Sequence, residues 1–254
     1  MESIPSSSNT AQPQPTPGFE RPGIRDPTSV CHVVFSRLLE HELQSLSKQH
    51  TVLDIGCGSG IGRRSEPQEA VARRVKSLWG VEPDKDVTVP ECLENVWRST
   101  LEESDIPPNS VDLAYSFMVM EHVDDAVGFL GKLSSIIKPG GVYLGATINA
   151  KCFFARVARL TGALGIQKQV LTIARGKAEI EDYHYPAVYR MNTPDRLRQL
   201  AVNAGFGNFE FVAIDSNEWL AYFPKPVRWC GHIVRAIAQR PILTYPYLFV
   251  KLTK

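Results

Sequence analysis

Apolar residues recur every three to four positions from Val30 to Leu46. Val30, Val34 and Leu38 fall on one line and Phe35, Leu39 and Leu43 beside it, a spacing that predicts a helix over about 28–48. Thr28 or Ser29 is its candidate N-cap. The period then changes. Thr51-Val-Leu-Asp-Ile-Gly56 is a short apolar run ending in glycine and reads as a buried strand. A helical stretch near Gln68–Lys76 leads into a second strand, Ser77–Glu82, and Ser110–Tyr115 is a third. Asp125–Ile137 reads as a helix stopped by Pro139-Gly140-Gly141, with a strand over Val142–Ile148 after it. Thr193-Pro194 joins a capping residue to a proline at the first helical position, and Gly205 closes that helix. Phe209–Ile214 and Tyr247–Leu252 are the last strand candidates. Strands alternating with helices predict an α/β fold around a mostly parallel, doubly wound sheet.

Two kinds of segment depart from this rhythm. The first 29 residues carry 6 of the 18 prolines and 5 serines with little that is apolar, so residues 1–26 are expected to form a disordered tail. A lid folding over a bound ligand is the alternative. Residues 27–254 are then a single domain, with a helical cap inserted at about 150–190. The formal charge of +1 conceals an asymmetry. Residues 151–176 and 219–254 hold +11 and no acid, interleaved with aromatic residues, and the rest of the chain holds −10.

Composition narrows the class. With 43% hydrophobic and 22% charged residues the chain is an ordinary globular protein, and its overall charge gives no reason to expect a nucleic-acid partner. Five scattered cysteines without a C-x-x-C pair argue against a disulfide framework or a zinc site and fit a reducing, cytoplasmic setting. No apolar run approaches the roughly 18 residues of a membrane span, and the N-terminus has no signal-peptide core.

The sharpest chemical signal is Asp54-Ile-Gly56-Cys57-Gly58-Ser59-Gly60 at the end of the first strand. Glycines let the backbone turn tightly and approach a ligand closely, with Cys57 as a small space-filler between them. Glu82, an acid at the end of the next strand, stands 22 residues beyond Gly60, the spacing at which a carboxylate grips ribose hydroxyls in nucleotide-binding βαβ units. A dinucleotide would place its pyrophosphate near Asp54, where like charges repel, and would favour G-x-G-x-x-G; here Ile61 follows Gly60. A ligand bearing an ammonium and a sulfonium suits that carboxylate better.

At these residues the chain resembles the class I S-adenosylmethionine-dependent methyltransferases. Gly80-Val-Glu-Pro-Asp84 is similar to their second-strand motif, and Leu101-Glu102-Glu103 with Asn109–Leu113 to their adenine-flanking loop and fourth strand. Glu121-His122-Val123 and Lys138-Pro-Gly-Gly141 resemble signatures of the small-molecule (type 11) branch. The resemblance implies a Rossmann-like seven-stranded sheet ordered 3-2-1-4-5-7-6, helices on both faces, and a final antiparallel strand over Tyr247–Leu252. It implies S-adenosylmethionine as cofactor and S-adenosylhomocysteine as product. Asp54, Gly56 and Gly58, with Cys57 and Gly60, would lie at the methionine end. Glu82, followed by Pro83, would hold the ribose, Leu101 and Glu102 would border adenine, and Ser116 and Phe117 the methionyl group. The chain departs from the pattern in two places. Ile61–Pro67, with Arg63 and Arg64, is longer and more polar than the usual start of the first helix, and Thr100 stands where many members have aspartate.

The resemblance leaves the acceptor open. His122 and His184 are the candidate general bases, His122 being alternatively a packed imidazole, and Glu121 a first-turn acid. Tyr183, Tyr185, Tyr189 and Arg190 are candidate acceptor contacts, with a solvated loop and a surface salt bridge as the alternatives. The expected reaction is methyl transfer to a small hydrophobic or amphiphilic metabolite, oxygen favoured over nitrogen or carbon. The basic, aromatic blocks would form a canopy over it, with peripheral contact to an anionic membrane as a weaker corollary. Nucleic acid is not expected as acceptor: the Asn/Asp-Pro-Pro-Tyr/Phe signature of base-methylating branches is absent, and no metal is expected. Nothing in the sequence sets an oligomeric state. Two rivals come from other classes, a non-catalytic protein that binds the cofactor and a nicotinamide-dependent oxidoreductase.

Overall fold

A computed structural model describes residues 23–25, 30–58, 60–153, 155–156, 159–160, 186–216, 229, 233 and 245–254. Strand β1 spans Gly23–Arg25, α1 Cys31–Leu43, β2 Thr51–Ile55, α2 Glu66–Arg74, β3 Ser77–Val81 and β4 Asn95–Trp97. After them come β5 (Val111–Phe117), α3 (Ala126–Ile136), β6 (Ile137–Ile148), α4 (Pro194–Asn203), β7 (Asn208–Asp215) and β8 (Tyr247–Thr253).

The sheet runs β1-β7-β8-β6-β5-β2-β3-β4. Seven of these strands give the expected order 3-2-1-4-5-7-6, in which β8 is antiparallel to both neighbours and β2, β3, β4, β5 and β6 are parallel. The eighth strand, β1, adds a parallel edge on β7 and lies in the stretch read as a tail. Residues 1–22, Thr28 and Ser29, and most of the expected cap insertion, including 161–185, lie outside the described residues. The N-cap of α1 is Val30, which makes no side-chain cap bond, in place of the expected Thr28 or Ser29.

Alternation along the strands explains why helices cover both faces. In β2, Val52 packs with Phe35 and Leu39 of α1 and Val71 of α2, while the next residue, Leu53, packs with Phe129, Leu130 and Leu133 of α3 and Leu197 and Leu200 of α4. All five β2 residues are buried, as befits a central parallel strand covered on both sides. Between β6 and β7, β8 is tied to α1 by a buried ion pair, Lys251 Nζ to Glu42 Oε1 at 2.6 Å. Among the described residues no helix is long and apolar enough to cross a membrane.

Most expected elements form where the pattern put them, with differences that have physical reasons. Helix α3 ends at Ile136 and β6 begins at Ile137, so Pro139-Gly140-Gly141 falls inside a strand instead of between helix and strand. The register with β5 jumps from Val111↔Ile137 to Leu113↔Val142, which displaces the three residues from the ladder. Proline lacks the N–H a ladder needs, and Gly140 has a left-handed φ of +78°. Strand β4 had no pattern to announce it, being three residues long with an exposed Asn95; it is held by Trp97 against Trp79, ring centroids 5.5 Å apart.

The start of α4 behaves as its sequence suggests. Thr193 is extended at φ −135° and its hydroxyl accepts from Arg196 N at 3.3 Å. Thr193→Ala is expected to cost about 1 kcal/mol, and Thr193→Ser nearly nothing, in urea unfolding midpoints at unchanged m-value.

Candidate functional site

The C-terminal ends of β2, β3 and β5 open onto one cavity of about 830 Å³, within the range of small-molecule sites. Of the expected site residues, Gly56, Gly60, Glu82, Pro83, Leu101, Glu102, Phe117 and His122 line it. Asp54, Cys57, Gly58 and Ser116 lie behind its wall, and Tyr189 and Arg190 stand outside the lining. Tyr183, His184 and Tyr185 lie outside the described residues.

The wall at the strand ends is built by close approach. Gly58 N donates to Glu82 Oε2 at 3.0 Å, and Asp84 N donates to Oε1 at 3.1 Å, so the carboxylate is fixed at the cavity edge by two backbone amides. A Cβ on Gly58 would stand 2.7 Å from that same oxygen and 2.3 Å from Val87 Cγ1, which explains why the loop needs glycine there.

Asp54 occupies a different place from the one its sequence position suggests. Its Oδ2 accepts from Gln68 Nε2 at 2.6 Å and from the Tyr115 hydroxyl at 2.9 Å, under the glycine loop and out of contact with the cavity. Burial pushes its pKa up to about 7; the two hydrogen bonds oppose this and the nearby Glu82 charge adds to it. Gln68 also donates to the Cys57 carbonyl at 2.8 Å and so braces the loop from beneath. Nothing in the sequence distinguished Gln68 from a solvated helix residue, yet it is fully buried. Burial likewise pushes the Cys57 thiol up, which suits an inert space-filler. Ser116 is turned to the Tyr143 hydroxyl, 2.6 Å away.

Phe117, Met118, Val119, His122, Val123 and Phe129 also line the cavity, and Val119 lies against the glycine loop, its Cγ2 2.4 Å from where a Cβ on Gly56 would stand. Met118 holds a left-handed φ of +56°, uncommon for a side chain of its size. His122 Nδ1 lies 3.2 Å from the Pro186 carbonyl oxygen. Glu121 precedes α3 by several residues, so it is not the first-turn acid expected; it is buried, and its Oε2 accepts from Thr147 Oγ1 at 2.7 Å. Asn192 Nδ2 donates to the same hydroxyl, and the Glu121 carbonyl accepts from Val188 N and Tyr189 N. Desolvation raises the Glu121 pKa despite the opposing His122 charge and Thr147 hydrogen bond. Glu121 therefore fastens the 186–192 segment beside His122. Arg190 takes the bland alternative: it pairs with exposed Asp124, NH2 to Oδ1 at 2.8 Å.

The half-buried Glu102 carboxyl is also pushed up, chiefly by burial. The donor set fits an adenosyl cofactor: a fixed carboxylate for ribose hydroxyls, Leu101 and Glu102 for a ring bearing an amino group, and a loop with no room for another side chain. Among the described residues no group of histidines, cysteines and carboxylates is placed to hold a metal ion.

Comparison with known proteins agrees. Residues 29–210 match the model of a methyltransferase-domain family. A ubiquinone biosynthesis O-methyltransferase of Rhodopseudomonas palustris is 32% identical over 201 residues, which are 76% of this chain and 71% of that protein. One from Paramagnetospirillum magneticum is 35% identical over 115 residues, and there the match spans only 41% of the relative's length and 39% of this chain. The crystal structure of a SAM-dependent methyltransferase from Archaeoglobus fulgidus has the same fold, with a TM-score of 0.53 at 17% identity over 88% of this chain and 94% of that one. By family match, fold and the cofactor that both imply, the chain belongs to the class I S-adenosylmethionine-dependent methyltransferases.

Proposed function

We propose that this chain methylates a hydroxyl oxygen of a small hydrophobic or amphiphilic metabolite. The observation that carries the reading is that the glycine loop, Glu82, His122 and the apolar side chains Phe117, Val119, Val123 and Phe129 line one cavity. Glu82 would hold the ribose, Leu101 and Glu102 would flank the adenine, and the glycine loop would face the methionyl end. Bound there, S-adenosylmethionine supplies a methyl group already activated on a sulfonium. The chain's own residues have two tasks, to hold the acceptor in line and to receive its proton.

His122 is suited to the second task. The Pro186 carbonyl can only accept, so in the neutral ring Nδ1 carries the hydrogen and the basic lone pair belongs to Nε2. The ring's attachment to the Glu121-anchored segment keeps it oriented. Phe117, Val119, Val123 and Phe129 give the acceptor apolar surface and keep water from the nucleophile. Positioning alone can supply about 7–11 kcal/mol of the barrier reduction. The relative of Rhodopseudomonas palustris, named for O-methylation, supports oxygen as the nucleophile.

The test is a panel of matched alcohols, phenols and amines of increasing alkyl length, incubated with methyl-labelled S-adenosylmethionine. Label on oxygen, with kcat/KM rising with apolar surface, is the expected result. Label confined to nitrogen or carbon, or a kcat/KM flat with chain length, would overturn the assignment.

A further inference from the structure

The segment that departs most from the family pattern, Ile61–Pro67, has a definite geometry. Helix α2 does not begin until Glu66, so the chain crosses from the glycine loop to the helix through residues 60–65. Ile61 is buried with Phe35 and Leu39 of α1, and a Cβ on Gly62 would lie 2.6 Å from the His32 ring, so the crossing is pinned against α1. Gly60, Gly62 and Arg63 all have left-handed backbones, with φ of +68°, +65° and +63°. Such a backbone is disfavoured for arginine, and the pinned loop holds Arg63 in it at the cavity wall.

The charges around it are one-sided. Glu82, Asp84, Glu102, Glu103, Asp124 and Asp125 line the same cavity, and Arg63 is the only lysine or arginine among the described lining residues. Three of these acids are engaged elsewhere: Glu82 by backbone amides, Asp124 by Arg190, and Asp125 as the cap of α3. No described carboxylate pairs with Arg63. A ligand carboxylate is repelled along the rest of the wall and has one cation to meet, whose planar fork matches it bidentately.

We propose that Arg63 binds a ligand carboxylate, either that of the cofactor's amino-acid moiety or one carried by the acceptor. The inference rests on the methyl-transfer reading for the identity of the cofactor. Arg63's place beside Gly60 and Gly62, at the glycine-loop end, favours the cofactor as the source.

The test is calorimetric titration of the wild type, Arg63→Asn and Arg63→Lys with S-adenosylhomocysteine and with its decarboxylated analogue, which keeps the amine. Asparagine tolerates the left-handed backbone, so the fold should persist, as circular dichroism would verify. If the cofactor is the source, Arg63→Asn binds S-adenosylhomocysteine about 10- to 100-fold more weakly, its affinity for the analogue is unchanged, and Arg63→Lys falls between. If the acceptor is the source, S-adenosylhomocysteine binds all three proteins alike. Arg63→Asn then selectively loses octanoate relative to octanol in the cofactor-saturated protein. Either result supports the proposal. Identical preferences in wild type and Arg63→Asn for both ligand pairs would overturn it. A folded wild-type protein that binds neither nucleoside would instead remove the cofactor reading itself, and this proposal with it.

Discussion

Replacing His122 by alanine is expected to lower kcat by about 10²- to 10⁴-fold, the range for loss of a positioned general base. His122 lines the cavity but is not among the residues assigned to the cofactor, which are the glycine loop, Glu82, Leu101 and Glu102, so the affinity for S-adenosylhomocysteine should not change. The structural cost should also be small, because the Glu121 carbonyl still holds the 186–192 segment at Val188 and Tyr189 when the imidazole's bond to Pro186 is lost. The decisive pattern is a fall in kcat at constant cofactor affinity, with partial recovery on adding free imidazole. A wild-type kcat in His122→Ala would show that positioning, without a base, accounts for the rate.

The second large effect lies beneath the loop. Burial pushes the Asp54 pKa up to about 7 from an ordinary 3.8, so between these values the folded protein keeps a proton that the unfolded chain has lost. By linkage this contribution to stability is complete below about pH 4, declines as pH rises to about 7, and is flat above. The shift corresponds to roughly 4 kcal/mol. Asp54→Asn has no such titration, so its stability relative to wild type should rise by up to about 4 kcal/mol between pH 4 and pH 8. Urea unfolding of both proteins across that range is the measurement, since other titrating groups cancel in the difference. A difference independent of pH would mean that Asp54 is ionised in the folded protein.

The cavity's cofactor end was more legible in the sequence than its surroundings. The run into Gly56, the acid Glu82 and the ordered motifs after them lie close together in the chain, and they line or back one cavity. Thr193-Pro194 and Asp125 announced their helices because capping is local chemistry. What could not be read depends on residues distant in sequence. Gln68 looks like any polar helix residue until the loop closes over it, and Glu121 looks like a helix-start acid until Thr147, itself held by Asn192, meets it. The same holds for Asp54, whose partners Gln68 and Tyr115 turn it away from the cavity. Strand β1 gave no signal because its three residues carry no periodicity and are placed by pairing with β7. Arg63 was visible only as an irregularity; the positive φ values that give it a purpose are properties of the folded loop.

Calorimetric titration of wild type and Glu82→Ala with S-adenosylmethionine and S-adenosylhomocysteine tests the central claim, that the glycine loop and Glu82 form a methyl-donor site. Micromolar binding of both ligands to the wild type, about −8 kcal/mol, is expected. In Glu82→Ala the affinity should fall by about 10- to 100-fold, the worth of a hydrogen bond to a charged group; the unliganded protein should stay folded with a lowered thermal midpoint, because Gly58 N and Asp84 N lose their acceptor. Folded wild-type protein that gives no heat with either ligand, or a Glu82→Ala variant that binds as tightly as wild type, would contradict it.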